Sequence, residues 1–150
     1  MRIALGADHA GVALKEDVKR QLTQRGVAFT DFGTDSTESV DYPDYAAKVA
    51  HEVASGAYDR GILFCGSGIG MAIAANKVAG IRAASIVDEE SARLSRQHND
   101  ANILSLGARL TPADEARRIV NVFLDTPFAG GHHQRRIDKI LELDHERKPA

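Results

Sequence analysis

The sequence holds one cysteine and no tryptophan, and only 5% of its residues are aromatic. A single cysteine cannot close an internal disulfide, which excludes a disulfide-stapled secreted fold and favours a reducing, cytoplasmic setting. Long apolar runs are missing too. The opening stretch Met1 to Ala7 is cut off by Asp8 and His9 before it could serve as a signal h-region, and nothing approaches the ~20 residues that span a bilayer. Charge of one sign is also lacking. With 19 Lys and Arg against 21 Asp and Glu, the formal charge is −2, so neither nucleic acid nor a membrane surface is expected as a partner. There are no repeats, low-complexity tracts or linkers. What remains is 150 residues, 43% hydrophobic and 27% charged, the composition of one globular domain over 1–150 with room for a real core.

Short apolar runs alternate with amphipathic segments along the chain, the pattern of βαβ units. Strands are expected at Arg2–Ala7, Val27–Phe32, Arg60–Cys65, Arg82–Val87 and Asn102–Leu106. Between them, Leu14, Val18 and Leu22 share one helix face, as do Ala46, Val49, Ala50 and Val53 behind Pro43. Asp88 reads as the N-cap of a helix running to about His98. Thr111 reads as the cap of another, with Pro112 in first position and Ala116, Ile119, Val120 and Phe123 turned inward. A last helix carries Ile137, Ile140 and Leu141. The expected fold class is therefore α/β: a single-domain, doubly wound, parallel five-stranded sheet of Rossmann-like type with a C-terminal helix. Ligands of such sheets bind beyond the carboxyl ends of the strands, where Asp8-His9, Cys65-Gly66-Ser67 and Asp88 stand. The polar stretch 33–44 could overhang the same edge.

Residues 61–70, Gly-Ile-Leu-Phe-Cys-Gly-Ser-Gly-Ile-Gly, carry the most chemistry. An apolar run ends in the one thiol, then opens into three alternating glycines and a helical stretch, Met71 to Asn76. Glycines let N–H groups converge, and a helix start adds positive partial charge, which suits an anion or a developing oxyanion. The tempting alternatives fail on spacing. A dinucleotide fingerprint needs its third glycine where Met71 stands, although Asp88 arrives at roughly the right distance. No Gly-Lys-Ser/Thr follows, as a P-loop requires. A cysteine phosphatase would want arginine at Met71. His51-Glu52 lacks a second histidine, Ser55 standing in its place, and no other set of residues has zinc-ligand spacing.

Each residue also has a plainer reading. Cys65 could be a small buried hydrophobe, and Ser67 a helix N-cap. Asp8-His9 could cap the helix that begins near Gly11. His98-Asn99-Asp100 could be a helix C-terminus, where asparagine tolerates the left-handed cap. His132 to Arg136 could be the solvated start of the last helix. Their joint occurrence favours function.

Taken together, five segments resemble the type B ribose-5-phosphate isomerases, grouped with galactose-6-phosphate and allose-6-phosphate isomerases. They are Asp8-His9-Ala10-Gly11, Asp41-Tyr42-Pro43-Asp44, Cys65 to Gly70, Ala74-Ala75-Asn76-Lys77 through Gly80-Ile81-Arg82-Ala83, and Ser95 to Asn102. The likeness runs from about Ile3 to Leu143. It implies a metal-free, cofactor-free interconversion of an aldose phosphate and its ketose through an enediolate, within pentose phosphate metabolism. By that resemblance Cys65 is the base, and the N–H groups of Gly66, Gly68, Ile69 and Gly70 hold the oxyanion. Ser67, where the family usually has threonine, relays the proton between O1 and O2. His98 with Asp8 opens the sugar ring, and Asn99 holds sugar hydroxyls. His9, Arg109 and Arg136 grip the phosphate beside His132 and His133. The resemblance further implies a homodimer, with the His98–Asn99 segment supplied by the partner subunit.

One departure bears on the substrate. The family's Gly-Gly-Arg-His run reads Gly130-Gly131-His132-His133 here, which exchanges a permanently charged, bidentate group for an imidazole. Ribose 5-phosphate is the expected substrate. The alternatives are a six-carbon aldose phosphate, an unphosphorylated pentose, or, in another class, a non-catalytic nucleotide- or phosphate-binding module.

Overall fold

Five strands pair in parallel in the order β2-β1-β3-β5-β4: β1 (Arg2–Ala7), β2 (Ala28–Asp31), β3 (Arg60–Cys65), β4 (Ala83–Ser85) and β5 (Ile103–Gly107). The computed structural model describes residues 1–146, so the last four residues of the expected 1–150 domain, 147–150, lie outside the described ones. The central strands β1, β3 and β5 are nearly continuous apolar runs because helices cover both of their faces. Side-chain alternation divides the core in two. Ile3, Leu5, Ile62, Phe64, Leu104 and Leu106 meet α1 (Val12–Gln24), α4 (Glu89–Gln97) and α5 (Ala113–Asp125) on one face. Ala4, Leu63, Cys65 and Ile103 meet α2 (Tyr42–Ala54) and α3 (Ile69–Ala75) on the other. A sixth helix, α6 (His132–His145), buries Ile137, and its Asp144 carboxylate accepts the Gly80 N–H at 2.8 Å.

The expected strands and helices are all present, with shifts at their ends. β2 is two residues shorter than the expected Val27–Phe32. β4 keeps only Ala83–Ser85 of the expected Arg82–Val87 and stops short of Asp88, since an edge strand has a neighbour on one side only. α3 begins at Ile69, two residues before Met71, with left-handed Gly68 at the N-cap position and Ser67 one residue earlier, its hydroxyl accepting the Ile69 N–H. Thr111 does not cap α5. Its hydroxyl is buried without a partner, and extended Pro112 is the N-cap, its carbonyl accepting from Ala116. The left-handed residue after α4 is Asp100 (φ 45°), not Asn99, and Arg96 holds its carboxylate at 2.8 Å. In α6 only Ile137 of the three expected apolar residues is buried, and Ile140 is 41% exposed.

Lys15 is the fully buried cation of α1. Its ammonium donates to Asp31 Oδ1 at 2.7 Å and to the Thr34 carbonyl at 2.6 Å, which fastens the segment after β2 to the core. Burial alone would raise the Asp31 carboxyl. Hydrogen bonds from Lys15, Lys19 and the Gly33 N–H outweigh it and hold this group below its ordinary value. The depressed value makes the stabilisation complete above the unfolded carboxyl's ~3.9. It is lost as pH falls through the lower folded value. Removing one partner of a buried pair costs ~3–5 kcal/mol when the other charge is left alone, and Lys19, still 2.9 Å from Asp31 Oδ2, keeps the loss here at the low end. Lys15→Met should lose about 3 kcal/mol in urea unfolding at pH 7, with a smaller deficit below pH 4.

Candidate active site

Because the strands are parallel, Asp8, Cys65 and Arg109 follow the carboxyl ends of three adjacent strands, β1, β3 and β5. They line one cleft of about 590 Å³ together with Gly66, Ser67, Ile69, Gly70, Tyr42, Ile73 and Leu110. Alternation along β3 turns Cys65 toward α2 and α3, where it is 5% exposed. Its sulfur accepts the Gly68 N–H at 3.1 Å.

Backbone packing holds the loop in this shape. Gly68 sits at φ 78° against the end of β5, and a Cβ there would lie 2.9 Å from the Leu106 carbonyl carbon. Gly107 answers from the other side, where a Cβ would lie 2.5 Å from Ser67 backbone atoms. The Ala108 and Arg109 N–H groups donate to the carbonyls of Cys65 (2.8 Å) and Gly66 (3.0 Å). The Ser67 hydroxyl accepts the Ile69 N–H at 3.2 Å. Buried Ser105 donates to the Gly68 carbonyl at 2.6 Å.

Asp8 caps the 3-10 turn His9–Gly11, accepting the N–H groups of Ala10 at 3.0 Å and Gly11 at 3.1 Å. Nδ1 of His9 accepts the Val40 N–H at 3.2 Å, which brings the 33–41 segment over this edge of the sheet. In the neutral imidazole the proton then lies on Nε2.

The remaining expected residues lie elsewhere. α4 returns from the carboxyl edge to the amino edge, so His98 and Asn99 stand near the start of β5, across the sheet from Cys65. There His98 stacks on His133, with centroids 4.3 Å apart and rings 16° from parallel, and His132 lies against the same ring at 4.1 Å, tilted by 39°. Partial desolvation, then the neighbouring His132, His98 and Arg136, push the His133 imidazole below its ordinary value. Thus Asp8, Cys65, Gly66, Ser67, Ile69, Gly70 and Arg109 share the cleft, with Gly68 inside the loop and His9 at its rim. His98, Asn99, His132, His133 and Arg136 gather at the opposite edge. Among the described residues, no three His, Cys, Asp or Glu side chains converge as metal ligands would, and no helix is long and apolar enough to cross a membrane.

The dinucleotide alternative loses its support here. Asp88 caps α4 through the Ser91 N–H at 2.7 Å, beyond an edge strand separated from β3 by β5. In a dinucleotide site the acidic residue follows the strand next to the glycine loop. Sequence reasoning passed over Tyr42, whose ring occupies the space a Cβ on Gly70 would fill, 2.6 Å away. It also passed over Ser105, whose signal was a lone hydroxyl within an apolar strand.

The pattern of the ribose/galactose isomerase family matches residues 3–140. The chain belongs to this family. Among its members, ribose-5-phosphate isomerase B of Escherichia coli K12 is 47% identical over 146 residues, covering 97% of this chain and 98% of that protein. A ribose-5-phosphate isomerase B structure from Clostridium thermocellum, 51% identical, superposes with a TM-score of 0.96 over 97% of this chain and 99% of the other. The enzyme from Mycoplasma genitalium, solved with bound ribulose 5-phosphate, is 42% identical, with a TM-score of 0.94 over 97% of each chain. In this isomerase family member the histidine stack is open to direct measurement. His133 should titrate by proton NMR with a midpoint below the ~6.5 of an unperturbed imidazole, and His132→Ala should move that midpoint upward.

Proposed function

We propose that this chain interconverts ribose 5-phosphate and ribulose 5-phosphate, with Cys65 as the base. The observation that carries the reading is the buried Cys65 sulfur, paired with the Gly68 N–H at 3.1 Å in the cleft it shares with Asp8, Ser67 and Arg109. The thiolate takes the proton from C2 and returns it to C1. Negative charge develops on the carbonyl oxygen between these steps. The N–H groups of Gly70 and of Ile69, the latter freed as the Ser67 hydroxyl it now faces at 3.2 Å turns to the substrate, hold that oxygen, while Gly68 serves the sulfur. The Ser67 hydroxyl carries a proton between O1 and O2. A positioned base contributes ~10²–10⁴-fold, and each oxyanion donor about 2.7–4 kcal/mol. Arg109 and His9 bind the phosphate on this side, which positions C2 over the sulfur.

Ring opening and the remaining phosphate contacts need His98, Asn99, His132, His133 and Arg136, which one chain holds at its far edge. We infer a homodimer in which the amino edge of one copy meets the carboxyl edge of the other. Apolar side chains around the cleft support this: Ile69, Ile73 and Leu110 are 55%, 58% and 59% exposed. A second copy would cover them. A single cysteine and a metabolic sugar phosphate fit a cytoplasmic enzyme of pentose phosphate metabolism.

Proton NMR in D₂O with ribose 5-phosphate tests the chemistry. Wild type should exchange the C2 hydrogen as ribulose 5-phosphate accumulates. Cys65→Ala should lose about 10²–10⁴-fold in kcat with a melting temperature close to that of wild type. Retained exchange in Cys65→Ala would remove the thiol from the reaction. Mixing tests the shared site. Cys65→Ala and His98→Asn homodimers, each impaired, should together regain about a quarter of wild-type activity, because each mixed dimer carries one intact site. A mixture no better than its components would mean that each chain works alone.

A further inference from the structure

Ser105 is the one hydroxyl of β5 and has no exposed surface. It pairs in register with Leu63 of β3, and alternation sets it on the α2 and α3 side of the sheet, the side Cys65 faces. Its Oγ donates at 2.6 Å to the carbonyl of Gly68. That carbonyl belongs to the peptide joining Gly68 to Ile69. The two ends of a trans peptide point opposite ways, so drawing the carbonyl toward the sheet turns the Ile69 N–H outward, where Ser67 Oγ accepts it at 3.2 Å. Gly68, left-handed at φ 78° and ψ −7°, offers no side chain to resist rotation of this plane. Without Ser105 the buried carbonyl would lack this donor, and rotation toward another partner would carry the N–H away with it.

We propose that Ser105 is a positioning residue for the isomerisation, pinning the Gly68–Ile69 peptide so that the Ile69 N–H stays aimed at the reacting oxygen. This rests on the isomerase reading of the Cys65 cleft. Ser105 touches neither substrate nor thiol and acts only through the peptide plane. Removing an oxyanion donor outright costs ~10²–10³-fold in kcat. Loosening one that remains attached should cost less, about tenfold.

The test compares wild type, Ser105→Ala and Ser105→Cys by steady-state kinetics on ribose 5-phosphate and by amide exchange at Ile69 in ¹⁵N NMR. Cysteine keeps a similar volume but is a weak donor, and it carries the comparison if the alanine variant does not fold. The expected result is kcat reduced about tenfold in Ser105→Ala and less in Ser105→Cys, KM within about twofold in both, and faster Ile69 exchange. Equal kcat in all three proteins, or a kcat loss without faster exchange at Ile69, overturns the assignment. A KM rise as large as the kcat loss also overturns it, as that would mark general loosening of the cleft. If wild type fails to isomerise ribose 5-phosphate while Ile69 exchange still rises in Ser105→Ala, the substrate reading falls and the pinning of the peptide stands.

Discussion

Because all five strands run the same way, every residue just past a strand lies at one edge of the sheet and every residue just past a helix lies at the other. Connections between parallel strands must cross the sheet's full height, and helices make that crossing. Asp8, Cys65 and Arg109 are therefore neighbours although about a hundred residues separate the first from the last. His98 and Asn99, nearer to Cys65 in sequence than Asp8 is, end up across the sheet because α3, β4 and α4 make an odd number of crossings between them. The same rule that gathers one set of candidate residues in the cleft puts the other set out of its reach.

Within the cleft, the thiol's hydrogen-bond donor is backbone, the Gly68 N–H, while apolar side chains such as Leu63, Met71 and Ala75 share its buried cluster. The loop after β3 lies directly on the end of β5, and Gly68 and Gly107 leave no side chain between the two strands. Partners built from main chain are stiff and carry no rotamer entropy, so the groups around a reacting oxygen need little reorganisation as charge develops. The small residues at this contact shape the charged region of the site as well as the packing.

How much could be read from residues alone follows local signals. β1 and β3 matched their expected bounds because each is an apolar run closed by a polar or glycine residue. β4 did not, since Arg82, Ile86 and Val87 read as strand while only Ala83–Ser85 pair with β5. Thr111 has the composition of a cap, but the turn from Gly107 to Pro112 draws its hydroxyl into the interior, which no spacing rule foretells. The Cys65 loop was legible because its glycines, thiol and helix start are contiguous. The separation of His98 and His133 from Cys65 needed the direction of α4 and the strand order, and neither is a property of any local stretch. Ser105 was invisible for a related reason. A serine in a buried strand announces that it has a partner, but not which carbonyl that partner is.

The segment between β2 and α2 is held at both ends, near Thr34 by Lys15 and the Ala7 backbone and at Val40 by His9. Only residues 35–39 between the ties are uniformly exposed. The entropy of closing a loop grows slowly with its length, and here the fold itself closes the loop. Whatever packs beneath it has few conformations left to freeze, so its contacts would go to affinity rather than to ordering the chain. Of the five positions at the tip, only Asp35 takes part in a tie, its carboxylate 3.4 Å from the Lys15 ammonium, so the other four are the ones whose side chains the ties do not need.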